Sequence, residues 1–198
     1  MYTLFGIDFG SKLTGNTVIA IFEDPQIIFM DVDKGVDADE FISNAADHFK
    51  PKAVFIDAPL SLPGVYRKLN GCNNYHFRKA DIELNAMSPM FLGGLAARAI
   101  ELKHLLEDKG IQVYETYPRI MAERISLRKC GYKGSTLALK DCRKLVLDRI
   151  NPQKLAINGS DIKTWHHLDA LLALMSALNH QQGSGDTFGV KEEGLIYV

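Results

Sequence analysis

The chain has too few cysteines for a disulfide framework and no apolar run long enough for a membrane span. Cys72, Cys130 and Cys142 are odd in number and none sits in a C-x-x-C. Neither a disulfide scaffold nor a cysteine zinc site is indicated, and a reducing cytoplasm is the expected compartment. The longest apolar stretch, Leu168 to Leu178, is broken by Asp169 and falls short of the ~20 residues that cross a bilayer. No membrane association is expected. The opening residues lack a basic stretch and reach a carboxylate at Asp8, unlike a secretory signal. There is no internal repeat and no low-complexity tract. What is present is ordinary globular material: 198 residues, 46% hydrophobic and 24% charged, which excludes disorder, collagen and coiled coil. A chain of this size buries roughly 70% of its unfolded surface, enough for a single domain over residues 1–198.

Net charge is near zero overall, with 23 Lys and Arg against 24 Asp and Glu, but the two signs are unevenly placed. Residues 1–50 hold three bases against nine acids, a net of −6. Residues 119–154 hold ten bases against three acids, a net of +7. A basic segment of that size suits either a polyanion such as nucleic acid or the wet side of amphipathic helices.

Three short β-rich runs, Tyr2 to Phe9, Asn16 to Phe22 and Gln26 to Val32, are separated by turn-forming segments and predict an antiparallel meander. Asp37 to Glu40 opens a helical pattern that Lys50-Pro51 ends. Ala53 to Ile56 reads as a strand buried on both faces, joined to the meander by a parallel crossover. Residues 58–93 carry little periodicity and form a long insertion. A helix from about Gly94 to Lys109, a fifth strand from Ile111 to Tyr117, helices near Arg119 to Ile125 and Thr136 to Ile150, and a last helix from Asp161 to His180 follow. Asn151-Pro152 is the expected stop of the second basic helix, and Asn158-Gly159-Ser160 the expected cap of the last. Phe188 to Val190 and Leu195 to Val198 suggest a closing edge hairpin. The expected class is α/β, with a mixed five-stranded sheet in βββαβαβ order and flanking helices.

Three acids fall where burial pressure is high. Asp8 lies in the first strand, Asp57 follows the fourth, and Asp169 lies in the most apolar helix. An unpaired buried carboxylate costs several kcal/mol or becomes protonated, so each needs a cap, a basic partner or a metal. Ligands in open α/β sheets gather at the carboxyl ends of parallel strands, where Asp8 and Asp57 are expected side by side. His166, Asp169, Ala173 and Ala177 share one helical face, and the two alanines would let that face approach the sheet. Three convergent carboxylates make a hard oxygen site for one or two Mg²⁺ or Mn²⁺ ions, a site suited to phosphodiester hydrolysis.

These residues resemble the RNase H-like superfamily, in which acids sit on the first strand, at the end of the fourth and on the last helix. More closely, Gly6-Ile7-Asp8-Phe9-Gly10, Phe55-Ile56-Asp57-Ala58-Pro59, Arg78-Lys79-Ala80-Asp81, Glu115-Thr116-Tyr117-Pro118 and His167-Leu168-Asp169-Ala170-Leu171 look like segments of an uncharacterised family of predicted RNase H-fold nucleases, distantly similar to Holliday-junction resolvases. The resemblance implies a metal-dependent nuclease acting on nucleic acid, with Asp8, Asp57 and Asp169 as metal ligands. His166 stands where related resolvases carry a further acid, as a ligand or an orienter of water.

Glu115 either supports the ligands or pairs with a base such as Arg78 or Arg119. Arg78 and Asp81 form either a surface helix pair or part of an active-site flap. Tyr66, Arg67, Lys68, Tyr75, His76 and Phe77 mix bases with rings, for stacking on a nucleic acid or on one another. Two other functions fit the sequence. One is a non-catalytic nucleic-acid-binding module on the same fold. The other is an ATP-binding phosphotransferase, since Asp8 to Lys12 also resembles the phosphate hairpin of the actin and sugar-kinase superfamily; in the nuclease reading Lys12 and Arg119 are candidates to support the ligands or bind substrate.

Overall fold

The computed structural model describes residues 2–150 and 155–198. The meander forms as β1 (Thr3–Asp8), β2 (Val18–Glu23) and β3 (Gln26–Asp31), paired antiparallel in turn. Side chains alternate across β1, so Leu4 enters one core while Phe5 and Ile7 enter the other. The Asp37 side chain accepts the Asp39 and Glu40 N–H groups and starts α1 (Ala38–Phe49), which ends on a left-handed Lys50. β4 (Ala53–Ile56) is buried throughout and pairs parallel with β1, the crossover geometry that its unbroken apolar run predicts.

The 58–93 insertion holds more regular structure than its weak periodicity predicts. It contains a 3₁₀ turn at Gly64–Arg67, α2 (Lys79–Leu84) and α3 (Pro89–Leu92). The reason lies in side chains: the Asp81 carboxylate reaches back to accept the Arg78 backbone N–H at 2.8 Å at the start of α2, and Ser88 caps α3. After these come α4 (Gly94–Asp108), β5 (Gln112–Thr116), α5 (Pro118–Arg124), α6 (Thr136–Ile150) and β6 (Ala156–Ile157). The expected stop at Asn151-Pro152 lies outside the described residues. The last helix, α7 (Trp165–Gln181), begins four residues later than the sequence predicts. Thr164 caps it by accepting the His167 N–H, whereas Asn158 caps a separate 3₁₀ turn at Gly159–Asp161. The closing hairpin is β7 (Thr187–Val190) with β8 (Gly194–Tyr197).

Among the described residues the sheet is mixed and has eight strands rather than five, in the order β6-β3-β2-β1-β4-β5-β8-β7. The terminal hairpin does not stand apart, because β8 pairs parallel with β5 through Glu115 and Thr116. At the other edge two-residue β6, too short for any periodic signature, pairs with β3. Helices cover both faces. α1 and α4 supply Ile42, Ala46, Ala99, Leu102 and Leu106 to one core, while α5, α6 and α7 supply Met121, Val146, Leu171 and Leu174 to the other.

At one point the approach of α7 to the sheet depends on a glycine. A Cβ on Gly6, in the middle of β1, would collide with the backbone N of Leu174 and the carbonyl oxygen of Ala170. The sequence predicts that Ala173 and Ala177 let α7 approach, but the missing side chain that does so is on the strand. Gly6 and Asp8 lie two residues apart on the same face of β1, so the contact that seats α7 also sets Asp169 against Asp8. Gly6→Ala should therefore push α7 outward and lower the melting temperature by roughly 5–10 °C, an overpacking cost. Thermal unfolding checks this, and an unchanged melting temperature would show that the layers can part without loss.

Candidate metal centre

Asp8 is the last residue of β1 and Asp57 the first after β4. The β1–β4 register aligns Ile7 with Ile56, and the Asp57 N–H donates to the Ile7 carbonyl at 2.9 Å. Both carboxylates therefore leave the same end and the same face of the sheet, the face on which Phe55 and Leu4 pack against α7. Asp169 comes from the second turn of α7 and is 1% exposed. One carboxylate oxygen from each of Asp8, Asp57 and Asp169 lies within 4.8 Å of the others. That span is little more than two metal–oxygen bonds of ~2.1 Å each, so one ion can touch all three after a small inward movement.

The charge of this cluster is opposed from one side. The Lys133 ammonium lies 2.5 Å from Asp169 Oδ2 and the Tyr132 hydroxyl donates to Asp169 Oδ1. His166 Nδ1 sits 2.6 Å from Asp8 Oδ2, and that hydrogen bond raises the imidazole pKa above its ordinary value. Burial pushes the Asp57 carboxyl well above the usual carboxylate range, and the negative charges of Asp8 and Asp169 add to the shift. Burial also raises Asp169; Lys133 opposes that shift and Asp8 reinforces it.

The comparisons with known proteins fit this chain into a group. A family model described as a protein of unknown function (DUF429) matches residues 6–193. The chain belongs to the DUF429 family. No curated protein matches it. The expectation of an uncharacterised family holds at that level, and the matched span of this DUF429 chain takes in all three carboxylates.

The remaining site candidates divide. Glu115 and Arg78 do pair, but on the other side of the strand ends from the trio: Glu115 is opposite Ile56, whose side chain enters the α1–α4 core. Arg78 Nη1 and Nη2 each donate to Glu115 at 2.6 Å, Nη2 also donates to Asp81 at 2.6 Å, and Nη1 reaches Ser61 Oγ at 2.9 Å. Arg78 is 1% exposed, so the pair with Asp81 is buried and not a surface pair. Burial opposes the guanidinium charge, but Glu115 and Asp81 outweigh it and hold the proton more firmly. Nearby, Glu193 accepts the N–H groups of Gly64 and Lys79, both at 2.7 Å. Together these bonds fasten the insertion to β5 and to the terminal hairpin.

Arg119 and Lys12 are committed elsewhere. Arg119 pairs with Glu123 at 3.2 Å and Lys12 with Asp37 at 2.9 Å. Two further bases of the segment are answered locally: Arg128 also meets Glu123, and Arg124 meets Asp186 and the Val198 carbonyl. Lys154 lies outside the described residues. Lys133 and Tyr132 are the residues that sequence reasoning missed. Their signal was the Gly131-Tyr132-Lys133-Gly134 turn, in which Gly131 and Lys133 take left-handed backbone (φ 77° and 61°) and direct the lysine at the acids.

A cleft of about 350 Å³ runs from Asp57 and Lys133 past the strand ends to Arg78, Asp81 and Glu115, with Met87 and Leu92 of the insertion on its wall. Its two polar ends make different predictions. Arg78→Leu strands two buried carboxylates and should cost about 3–5 kcal/mol at neutral pH. Part of that loss should return in acid as the carboxylates take up protons, which urea unfolding across pH would show. For Asp57 the folded pKa lies above the unfolded value of about 3.8. Its contribution is intact below that pH and lost as pH rises through the folded value. Asp57→Asn should thus melt near wild type in acid and progressively above it as the pH rises, without added metal. A gap that shrinks with rising pH would contradict the crowding of charge.

Proposed function

We propose that this protein is a divalent-metal-dependent nuclease with an RNase H-like fold, hydrolysing phosphodiester bonds of nucleic acid. The observation that carries the reading is the convergence of Asp8, Asp57 and Asp169 within 4.8 Å at the carboxyl ends of two adjacent parallel strands. The central strand order β3-β2-β1-β4-β5, with one antiparallel meander and two parallel additions, supports the fold assignment. The donor set fits Mg²⁺ or Mn²⁺: three carboxylates, hard and anionic, with Asp169 Oδ2 buried and accepting no aligned hydrogen bond. When bound, such an ion activates water and stabilises the charge that develops on a phosphodiester.

The chain's own residues do the rest. Asp8 and Asp57 are fixed by the β1–β4 ladder and Asp169 by the seat of α7 on Gly6, so the ligands are pre-positioned on rigid elements. His166 holds Asp8 in place, and that hydrogen bond raises the pKa of a half-exposed imidazole at the edge of the centre. The insertion presents rings beside the cleft. Phe91 stacks on His76 with centroids 6.1 Å apart and remains 66% exposed, and Tyr75, edge to face with Tyr66, is exposed too, which suits contact with bases.

A non-catalytic nucleic-acid-binding module is the second reading, favoured by the Lys133 ammonium already lying on Asp169. The phosphotransferase reading draws less support. In the hairpin after β1 the Gly10 N–H donates to Thr17 Oγ1 and Lys12 is paired with Asp37, so both groups are taken.

Asp8→Asn keeps the shape of the side chain and removes one ligand charge. Cleavage of labelled single-stranded and branched oligonucleotides in Mn²⁺ should fall by roughly 10³-fold. Mn²⁺ should raise the melting temperature of wild type more than that of the variant, because only a ligand of the native state stabilises it. Equal metal-induced shifts would remove Asp8 from the centre. Nucleic-acid binding without metal, and no cleavage with it, would select the binding module.

A further inference from the structure

Lys133 is placed by its backbone and not by chance of a long side chain. It occupies the left-handed region at φ 61°, two residues after a left-handed Gly131, a conformation that non-glycine residues seldom adopt without support. The support comes from the first turn of α7. Trp165 Nε1 donates to the Gly134 carbonyl at 3.2 Å, and the Tyr132 ring meets Trp165 edge to face at 5.6 Å. The turn is thereby tied to the helix that carries Asp169, and both Tyr132 and Lys133 converge on that one carboxylate. Lys133 also borders the cleft that contains Asp57.

The contact is incomplete in a revealing way. Asp169 Oδ2 is buried and lies 2.5 Å from the ammonium, yet receives no aligned hydrogen bond. The ammonium serves Asp169, while the Asp57 carboxylate of the same 4.8 Å cluster has no ammonium of its own among the ion pairs of the described residues. A divalent ion within reach of Asp8, Asp57 and Asp169 would satisfy all three oxygens at once and would crowd the ammonium, a second cation beside the same oxygen.

We propose that Lys133 is an exchangeable internal cation: its ammonium holds Asp169 in the metal-free protein, and a divalent metal evicts it from that carboxylate while Trp165 and Tyr132 keep the Gly131–Gly134 turn on α7. The inference rests on the metal-centre reading and assigns a residue that this reading does not need. Its consequence is that metal loading delivers a free ammonium to the rim of the cleft, where the anionic backbone of the substrate must pass.

Two measurements on the full chain test it. Lys133→Met removes the competitor without supplying an oxygen that could itself ligate. Calorimetric titration with Mn²⁺ should show roughly tenfold tighter binding to the variant, the scale of a lost charged contact. In wild type, saturating Mn²⁺ should speed acylation of the Lys133 amine by a water-soluble active ester several-fold, read by mass spectrometry, because the freed amine is no longer paired. Equal affinities for wild type and variant, or unchanged labelling of Lys133 at Mn²⁺ saturation, would overturn the proposal and leave the metal centre standing. Mn²⁺ binding to neither protein would overturn both.

Discussion

Mutual repulsion of three carboxylates is the constraint around which the rest of this structure is arranged. Asp8, Asp57 and Asp169 lie within a few ångströms at the edge of a hydrophobic core, where the charged forms are both crowded and poorly solvated. Such a cluster survives only if the scaffold that forces it together is stronger than the repulsion. The scaffold here has two parts, the β1–β4 ladder that aligns Asp8 with Asp57 and the seat of α7 on Gly6 that brings in Asp169. Neither part depends on the carboxylates. Leu4 and Phe55 on the strands and Leu168, Leu171 and Leu174 on the helix are fully buried around them, so hydrophobic burial stabilises the arrangement that electrostatics opposes.

The second polar cluster obeys the opposite rule. Arg78, Asp81, Glu115 and Ser61 satisfy one another with short, directed bonds and leave no chemistry on offer. A bidentate guanidinium between two carboxylates fixes geometry better than it adds stability. What it fixes is the insertion, and hence the wall of the cleft that begins at Asp57. One end of the cleft thus holds a network neutralised from within, and the other a carboxylate trio answered only in part, by His166, Tyr132 and Lys133.

How much of this could be read from the sequence follows from the range of each signal. Asp8 and Asp57 were legible because strand ends are local and a carboxylate after an apolar run is conspicuous. Asp169 was legible because an acid inside the most apolar helix demands a reason. The α2 cap and the β6 pairing were not, since the first needs the Asp81 side chain to fold back onto the Arg78 N–H and the second is two residues long. Gly6 looked like any strand residue until the helix above it was placed. Within the basic segment Arg119, Arg124 and Arg128 are answered by Glu123 and Asp186, and the lysine that reaches the acids is a single turn residue. Net charge of a segment says nothing about which member is free.

His166 bears on the number of ions. On the proposed reading, an acid at that position would give the centre a fourth negative charge and a natural second ion. With histidine there, three carboxylates meet one divalent ion and one lysine, and the charges cancel without further help. A second ion would find Asp8 bonded to His166, Asp169 Oδ1 bonded to Tyr132, and the remaining positive charge of Lys133 close by. With Lys133 already displaced to the rim by the first ion, binding of a second requires that the substrate's own phosphate supply the missing negative charge. The arrangement favours a centre that holds one ion at rest and gains another, if at all, only together with an anionic substrate, so that substrate and metal complete the site jointly.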